Sequence, residues 1–305
     1  MYTMFKKICR MAQPQLKDYL ADKLLQTHED VFVGDGFVYA QGKFPVLLVA
    51  HLDTVHKELP NVINYDSNLQ AFSSPSGIGA DDRCGVYMVL QVIQHYNCSV
   101  LFCEDEEIGG VGAEKFIQTT LAKGLSFNYI IEFDRRGDKD AVFYDCDNPQ
   151  FTEFITGKYY KEAFGSFSDI SIVAPALKCA AVNLSCGYYN AHTTSEFVVM
   201  PEMEASIEAA CEILEKTTEN DKFEYIASKR YYGGFYDEWY GYEGMGYDEI
   251  EQSYYLIEYY DASYNECCAE VFATSTDEAI GKFCIEHSNI PFDNVINIYE
   301  DKEMM

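Results

Sequence analysis

Basic residues are scarce in this chain of 305 residues, which has 22 Lys and Arg against 50 Asp and Glu and a formal net charge of −28. Nucleic acids and anionic membrane surfaces bind proteins through clusters of positive charge. The charge balance therefore argues strongly against both as partners. The sequence also lacks any run of 18 or more apolar residues, so no membrane-spanning helix is predicted.

A regular cysteine framework is missing as well. The eleven cysteines are scattered through hydrophobic stretches and form no CxxC motif, which is typical of reduced core thiols in a cytosolic protein. The first 15 residues are basic, but they reach Gln and Pro before an apolar signal-peptide core forms. We therefore expect a soluble, cytoplasmic protein.

Hydrophobic patterning predicts alternating helices and strands. Residues 14–27 have helical spacing, 31–42 resemble a hairpin, and 44–53 form a continuous apolar run typical of a strand covered on both faces. Strand and helix patterns then alternate up to a closing helix at 201–217. Such alternation implies parallel pairing. The predicted fold class is α/β, a mostly parallel mixed sheet flanked by helices, with a small C-terminal α+β appendage.

The C-terminal quarter has a different composition. Residues 231–260 include ten Tyr, five Gly and seven acidic residues but no basic one, which is typical of a biased linker. Three strand patterns follow, at 253–261, 266–274 and 293–300, with one capped helix at 275–287 among them. We predict a main domain over 1–218, an acidic Tyr- and Gly-rich linker over 219–250 and a small α+β domain over 251–305.

Acidic and histidine residues are concentrated in five short motifs. In chain order these are HLDTV (51–55), GADDRCG (79–85), EDEEIGG (104–110), EFDRRG (132–137) and NAHTTSEF (190–197). Most of them lie where a hydrophobic run ends, and an open α/β sheet binds ligands at the carboxyl ends of its strands. One such motif alone is usually an ordinary strand end, but five in order indicate a site.

The residue types indicate a two-metal site. Two neighbouring divalent ions need carboxylates that bridge or cap them and imidazoles that complete each shell. The candidate ligands are His51, Asp81, Glu107, Asp134 and His192. The predicted cofactors are two divalent metal ions, with zinc first and cobalt or manganese as alternatives.

Two further acidic residues have predicted catalytic roles. Asp53 lies two residues after His51, on the same side of the strand, and can accept the ring N–H so that the other ring nitrogen is left for metal. Glu106 and Glu107 are adjacent, so one can bind metal while its neighbour acts as general base.

These motifs resemble the signatures of the di-zinc exopeptidase superfamily, which includes aminoacylases, peptidase T, carboxypeptidase G and acetylornithine deacetylase. The resemblance is spread over roughly residues 45–215. It implies that Asp81 bridges both zinc ions and that Glu106 is the base. The other ligands divide into two pairs, one for each ion: His51 with Asp134, and Glu107 with His192. The segment at Ser168 and Asp169 is also similar to one near the site in this superfamily.

The chain departs from the aminoacylase branch in length. Members of that branch carry a lid or dimerisation domain between the equivalents of Asp134 and His192, whereas only 57 residues separate them here. The absent lid leaves a substrate carboxylate without its usual partner, for which Arg135 and Arg136 are candidates because guanidinium binds carboxylate as a fork. Losing the usual dimer surface also favours a monomer.

The predicted function is a metal-dependent amide hydrolase, first of all an aminopeptidase-like exopeptidase acting on a small peptide. This preference is an analogy, since lidless relatives mostly trim free amino termini. Two alternatives stay open. One is a deacylase of N-acyl amino acids, and the other is a catalytically idle protein that uses the groove and the acidic tail to bind a partner.

Overall fold

The computed structural model describes residues 2–157, 159–228, 253–260, 266–273, 279, 282–283 and 295–301. The chain forms two compact units, Met1–Ala227 and Ser228–Met305, called here the first and second units. In these ranges, no helix is both long and apolar enough to cross a membrane.

Seven helices are described in the first unit: α1 Thr3–Cys9, α2 Gln13–Leu24, α3 Ala80–Val92, α4 Val111–Ile117, α5 Pro149–Ile155, α6 Asp169–Leu177 and α7 Met200–Lys216. A short 3₁₀ helix covers Ala122–Gly124. Pro14 lies in the first turn of α2, where its missing N–H costs no hydrogen bond. Asn148 caps α5 by accepting a hydrogen bond from the backbone N–H of Phe151.

The strands described in the first unit are β1 Asp30–Gly34, β2 Phe37–Gln41, β3 Phe44–His51, β4 Asn64–Asp66, β5 Ala71–Ser73, β6 Cys98–Cys103, β7 Tyr129–Arg135, β8 Asp140–Val142, β9 Lys161–Ala163, β10 Ala181–Ser185, β11 Tyr188–Tyr189 and β12 Phe197–Val199. An eight-stranded sheet has the order β1-β2-β6-β3-β7-β10-β8-β9. Its centre, β6-β3-β7-β10, is parallel throughout, while β1, β2 and β8 join it by antiparallel pairing. The predicted α/β class with a mostly parallel mixed sheet is confirmed.

Different helices cover the two faces of this sheet. Val46, Leu48 and Ala50 of β3 pack in one buried cluster with side chains of α1, α2, α3 and α7. Leu47 and Val49 point the other way, into a cluster with side chains of α4 and α6. Burial on both faces is the reason why this strand is an uninterrupted apolar run in the sequence.

A second, smaller sheet lies in the first unit, with the order β11-β12-β5-β4. All its pairings are antiparallel. The sequence gives no sign of it, because strands of two or three residues are too short to show a period. Its role is positional, since it joins the segment before Asp81 to the segment that carries His192.

Part of the predicted linker, residues 219–227, belongs to the first unit. The backbone N–H of Phe223 donates to the carbonyl of Asn128 at 2.8 Å, and its carbonyl accepts from the N–H of Ala180 at 3.0 Å. Its ring lies among those of Tyr129, Phe151 and Phe154, with centroid distances of 6.2, 5.2 and 5.1 Å. Residues 229–252, most of the predicted linker, lie outside the described residues, and the predicted domain boundaries stay a prediction.

We expect Phe223→Ala to lower the free energy of unfolding of the first unit by about 2 kcal/mol. This is less than the roughly 3–5 kcal/mol of a fully buried Phe, because the ring is only partly buried. Urea denaturation measures the change. Ile226→Ala is the matched control: its side chain is 47% exposed, so its effect should stay within about 0.5 kcal/mol. Equal effects of the two variants would contradict this role for Phe223.

The second unit contains an antiparallel sheet with the order β14-β13-β15, formed by β13 Ser253–Tyr260, β14 Glu266–Ala273 and β15 Val295–Asp301. Ile257, Val271 and Phe283 are among the residues of its buried cluster. The three predicted strands are present, so the small C-terminal appendage is confirmed as an antiparallel sheet. Most of its predicted helix, at 275–287, lies outside the described residues.

Candidate metal centre

Adjacent parallel strands bring the five motifs to one edge of the sheet. His51 is the last residue of β3, Glu106 and Glu107 follow β6 by a few residues, and Asp134 lies near the end of β7. Because β6, β3 and β7 are parallel neighbours, these carboxyl ends lie side by side. His192 reaches the same edge from the loop between β11 and β12.

Asp81 lies at the start of α3, where the backbone is not yet helical: its φ and ψ are −82° and 104°, and the peptide bond to Asp82 is cis. Gly85, one turn on, lets α3 approach β7 closely, because a Cβ there would overlap the carbonyl oxygen of Phe133. The approach places Asp81 over the carboxyl ends of the strands.

The candidate ligands form two triads that share Asp81. In the first, Nε2 of His51 is 3.0 Å from Oδ1 of Asp81 and 3.4 Å from Oδ1 of Asp134. In the second, Nε2 of His192 is 3.2 Å from both Oδ2 of Asp81 and Oε1 of Glu107. Each carboxylate oxygen of Asp81 thus belongs to a different triad.

The donor set fits two divalent cations. The ligand atoms of each triad all lie within 4.8 Å of one another. Oε1 of Glu107 is buried, and its charged neighbour is Nε2 of His192 at 3.2 Å, without a hydrogen bond of good geometry; a buried carboxylate oxygen in this position is stabilised by a cation. Imidazole nitrogen and carboxylate oxygen are ligands that zinc uses in proteins.

Asp53 links the two triads through hydrogen bonds. Its Oδ1 is 3.1 Å from Nδ1 of His51, and its two oxygens accept from the backbone N–H groups of Glu106 and Glu107 at 3.0 Å each. Burial alone would raise its pKa, but these contacts, above all the one with His51, hold the pKa of Asp53 below its ordinary value. The ring of His51 is therefore oriented with Nε2 toward Asp81 and Asp134.

Burial and crowded charges shift the ionisation of the site. Burial alone lowers the pKa of His51, but hydrogen bonds with Asp134, Asp53 and Asp81 raise it well above its ordinary value. Asp81, followed by Glu107, raises the pKa of His192 to about 11. Both imidazoles thus compensate the negative charge of the carboxylates when no metal is present.

Glu106 belongs to neither triad. Burial, with nearby carboxylates that include Asp134 and Asp169, raises its pKa to about 9. A carboxyl group with a raised pKa beside a ligand cluster is the environment expected of a residue that exchanges protons.

Of the two arginines predicted to bind a substrate carboxylate, Arg135 already forms an ion pair within the protein. Nε and Nη2 of Arg135 donate to Oδ2 of Asp140 at 3.1 and 3.0 Å. The backbone carbonyl of Arg136 accepts from Oγ of Ser185 at 2.8 Å. Substrate binding by either arginine stays a prediction, and for Arg135 it requires competition with Asp140.

Three buried charged residues around the triads have contacts that the sequence did not reveal. Asp82 accepts hydrogen bonds from the backbone N–H groups of His51 at 3.1 Å and Gly85 at 2.7 Å. Arg83 donates to the carbonyls of Leu52 and Met11. Glu196 accepts from the backbone of the Asp81 segment. Asp82, Arg83 and Glu196 all lie inside the recognised motifs, which is the signal that could have identified them.

A second buried group lies beneath Asp134. Oγ of Ser168 donates a hydrogen bond to Glu132 and lies 3.2 Å from Oδ2 of Asp134. Asp169 is fully buried, and among the described residues its oxygens have no hydrogen-bond partner apart from the thiol of Cys103. The Ser168–Asp169 segment thus lies beside the site. Glu132 also belongs to this buried group, two residues before Asp134 on the same face of β7, and it was not among the candidate residues identified from the sequence.

No protein-family model and no curated protein matches the sequence. Solved structures do match. The aminopeptidase PepT from Bacillus cereus has 14% identity and a TM-score of 0.58, covering 70% of this chain and 96% of that one. A tripeptidase from Staphylococcus aureus has 12% identity and a TM-score of 0.55, with coverage of 69% and 96%. An aminopeptidase from the archaeon Desulfurococcus kamchatkensis has 15% identity and a TM-score of 0.52, with coverage of 70% and 94%.

Identities between 12% and 15% show a shared fold and no specific activity. The resemblance to di-zinc exopeptidases that the motifs predicted is confirmed at the level of the fold, which this chain shares with these aminopeptidases over about 70% of its length.

Proposed function

We propose that this protein is a two-metal aminopeptidase that removes residues from the free amino terminus of small peptides. The observation that carries the proposal is the pair of triads sharing Asp81, with Glu106 near the charges of His51, Asp81 and Asp134 but belonging to neither triad. An idle binding protein has no physical need for such a group next to a ligand cluster.

In the proposal, His51, Asp81 and Asp134 hold one divalent cation, and Asp81, Glu107 and His192 hold the other. Zinc is the proposed metal, because the ligands are imidazole nitrogens and carboxylate oxygens; cobalt and manganese are the alternatives. Bound cations of this kind lower the pKa of water and polarise a carbonyl group.

The protein's own residues have three tasks in peptide hydrolysis. Glu106 takes a proton from the attacking water and delivers it to the leaving amine, as a general base and then a general acid. Asp53 keeps the ring of His51 oriented and fixes the backbone of Glu106 and Glu107 through its two oxygens. The low exposure of His51, Asp81 and Asp134 strengthens the electrostatic interactions within the first triad.

Charge favours an amino terminus as the recognised end of the substrate. Asp53 and Asp81, whose pKa values are both held below the ordinary value, keep negative charge at the triads at neutral pH. A free α-amino group is largely protonated at neutral pH, whereas an N-acyl amino acid brings a carboxylate. The engagement of Arg135 by Asp140 further weakens the case for a deacylase.

A substrate panel on metal-loaded protein tests the proposal. The chain is stripped with a chelator, reloaded with zinc, cobalt or manganese, and assayed on peptides with free or acetylated amino termini and on N-acetyl amino acids. We expect two ions per chain by elemental analysis and hydrolysis of the free peptides alone. Hydrolysis of only N-acetyl amino acids would favour the deacylase, and two bound ions without hydrolysis of any substrate would favour the binding protein.

The deacylase alternative makes its own prediction for the arginines. If Arg135 or Arg136 binds the carboxylate of an N-acyl amino acid, replacing it with Ala should raise KM for that substrate and leave kcat nearly unchanged, as loss of uniform binding does. Steady-state kinetics of both single variants measure this. Unchanged KM values in both would remove the arginines from substrate binding.

A further inference from the structure

Glu196 is a fully buried carboxylate that accepts three hydrogen bonds. Its Oε2 accepts from the backbone N–H of Ala80 and from Nε2 of His56, both at 3.0 Å. Its Oε1 accepts from the backbone N–H of Asp81 at 3.2 Å. Neither oxygen is left without a partner.

The three donors and the carboxylate come from the segments that carry the candidate ligands. His56 follows His51 by five residues, Asp81 is the shared member of both triads, and Glu196 follows His192 by four residues. A single carboxylate therefore ties together three segments that are separated in sequence by up to 140 residues.

The contact with His56 is fixed by packing. A Cβ at Gly77 would overlap the imidazole ring of His56, so the ring fills the space over that glycine. Gly77 has a φ of +84°, which a residue with a side chain rarely adopts. The ring therefore packs directly on the backbone of the loop before Asp81, beside Glu196.

We propose that Glu196 is a positioning residue that holds the shared carboxylate Asp81 and the segment of His192 at the spacing two divalent cations require. The inference rests on the proposed function for the presence of the cations. Without an acceptor at position 196, the buried N–H groups of Ala80 and Asp81 would be unpaired, and the loop would move to find water. Residues that orient metal ligands in this way affect metal affinity strongly although they do not touch the ion.

The test compares Glu196→Gln with wild type in zinc affinity, measured by competition with a chromophoric chelator. The amide keeps the size of the side chain, but its NH₂ group cannot accept from a backbone N–H. We expect zinc to bind at least about tenfold more weakly, with kcat lowered and KM nearly unchanged at saturating zinc. Zinc affinity and kcat equal to wild type in folded Glu196→Gln would overturn the proposal.

His28→Asn is the matched control for a general loss of stability. His28 is also buried, at 5% exposure, and its Nε2 contacts the carbonyl of Cys98 at 2.8 Å, at the opposite end of β6 from the site. It should destabilise the fold and leave zinc affinity unchanged. A loss of zinc affinity as large as that of Glu196→Gln would show that the effect is general and overturn the positioning role.

His56→Asn keeps the proposal testable if Glu196→Gln does not fold. It removes one of the three donors, so zinc affinity should fall, and zinc affinity equal to wild type in that case would overturn the proposal.

The wild-type measurement separates the proposed function from the positioning role of Glu196. A wild-type chain that binds no zinc overturns the proposed function and the positioning role together, whereas tight wild-type binding that Glu196→Gln retains overturns the positioning role alone.

Discussion

Glu106→Gln is expected to lower kcat at least about a hundredfold while both metal ions and the fold remain, which is the usual scale for loss of a general base. The amide is nearly isosteric with the carboxyl group but cannot accept and return a proton. Because Glu106 is absent from both triads, its replacement should leave the metal affinity close to that of wild type. Steady-state kinetics on a free-amino-terminus peptide, with elemental analysis of the same sample, measure both quantities.

Two neighbouring variants make this prediction specific. Glu107→Gln removes a member of the second triad, so it should lose metal as well as activity. Glu114→Gln, on the exposed surface of α4, should change neither. A Glu106→Gln protein that loses metal, or that retains most of its activity, would show that the two glutamates have been assigned the wrong roles.

The parts of the fold that the sequence predicts are those with long and consistent patterns. β3 can be predicted from the sequence because a strand that lies between two helical layers must consist almost entirely of apolar residues. Most of the motifs are recognisable as parts of a site because they end such a run, and parallel neighbours place their carboxyl ends together. The grouping of His51, Glu107 and Asp134 at one edge follows from these two facts.

The parts that the sequence does not predict depend on contacts between distant segments. β4, β5, β11 and β12 have two or three residues each and exist because they pair with one another. The acceptor role of Glu196 depends on donors 115 and 116 residues earlier in the chain. The ion pair between Arg135 and Asp140 is local, but an arginine at the end of a strand carries no sequence pattern that tells whether it is already paired.

Asp81→Asn should have the largest effect on metal binding, because its two oxygens belong to different triads. The amide keeps one oxygen, but it loses the negative charge and presents an NH₂ group to one of the two sites. We expect both zinc sites to weaken and hydrolysis to fall below detection. Asp134→Asn and His192→Asn, each in one triad only, should instead leave one ion bound per chain.

The gain in melting temperature on adding zinc separates these outcomes from a general loss of stability. Ions that bind only the folded state stabilise it by about 4 kcal/mol per site at a free concentration a thousand times Kd.

Asp81 also pairs with both imidazoles when metal is absent, and these contacts hold its pKa below the ordinary value. Asp81→Asn should therefore be less stable than wild type even without zinc. The comparison must therefore use the zinc-induced shift of each variant against its own chelated form. We expect that shift to be largest in wild type, smaller in Asp134→Asn and His192→Asn, and nearly absent in Asp81→Asn. If Asp81→Asn keeps a shift as large as that of the single-triad variants, Asp81 is not shared between two ions and the site holds its metals differently.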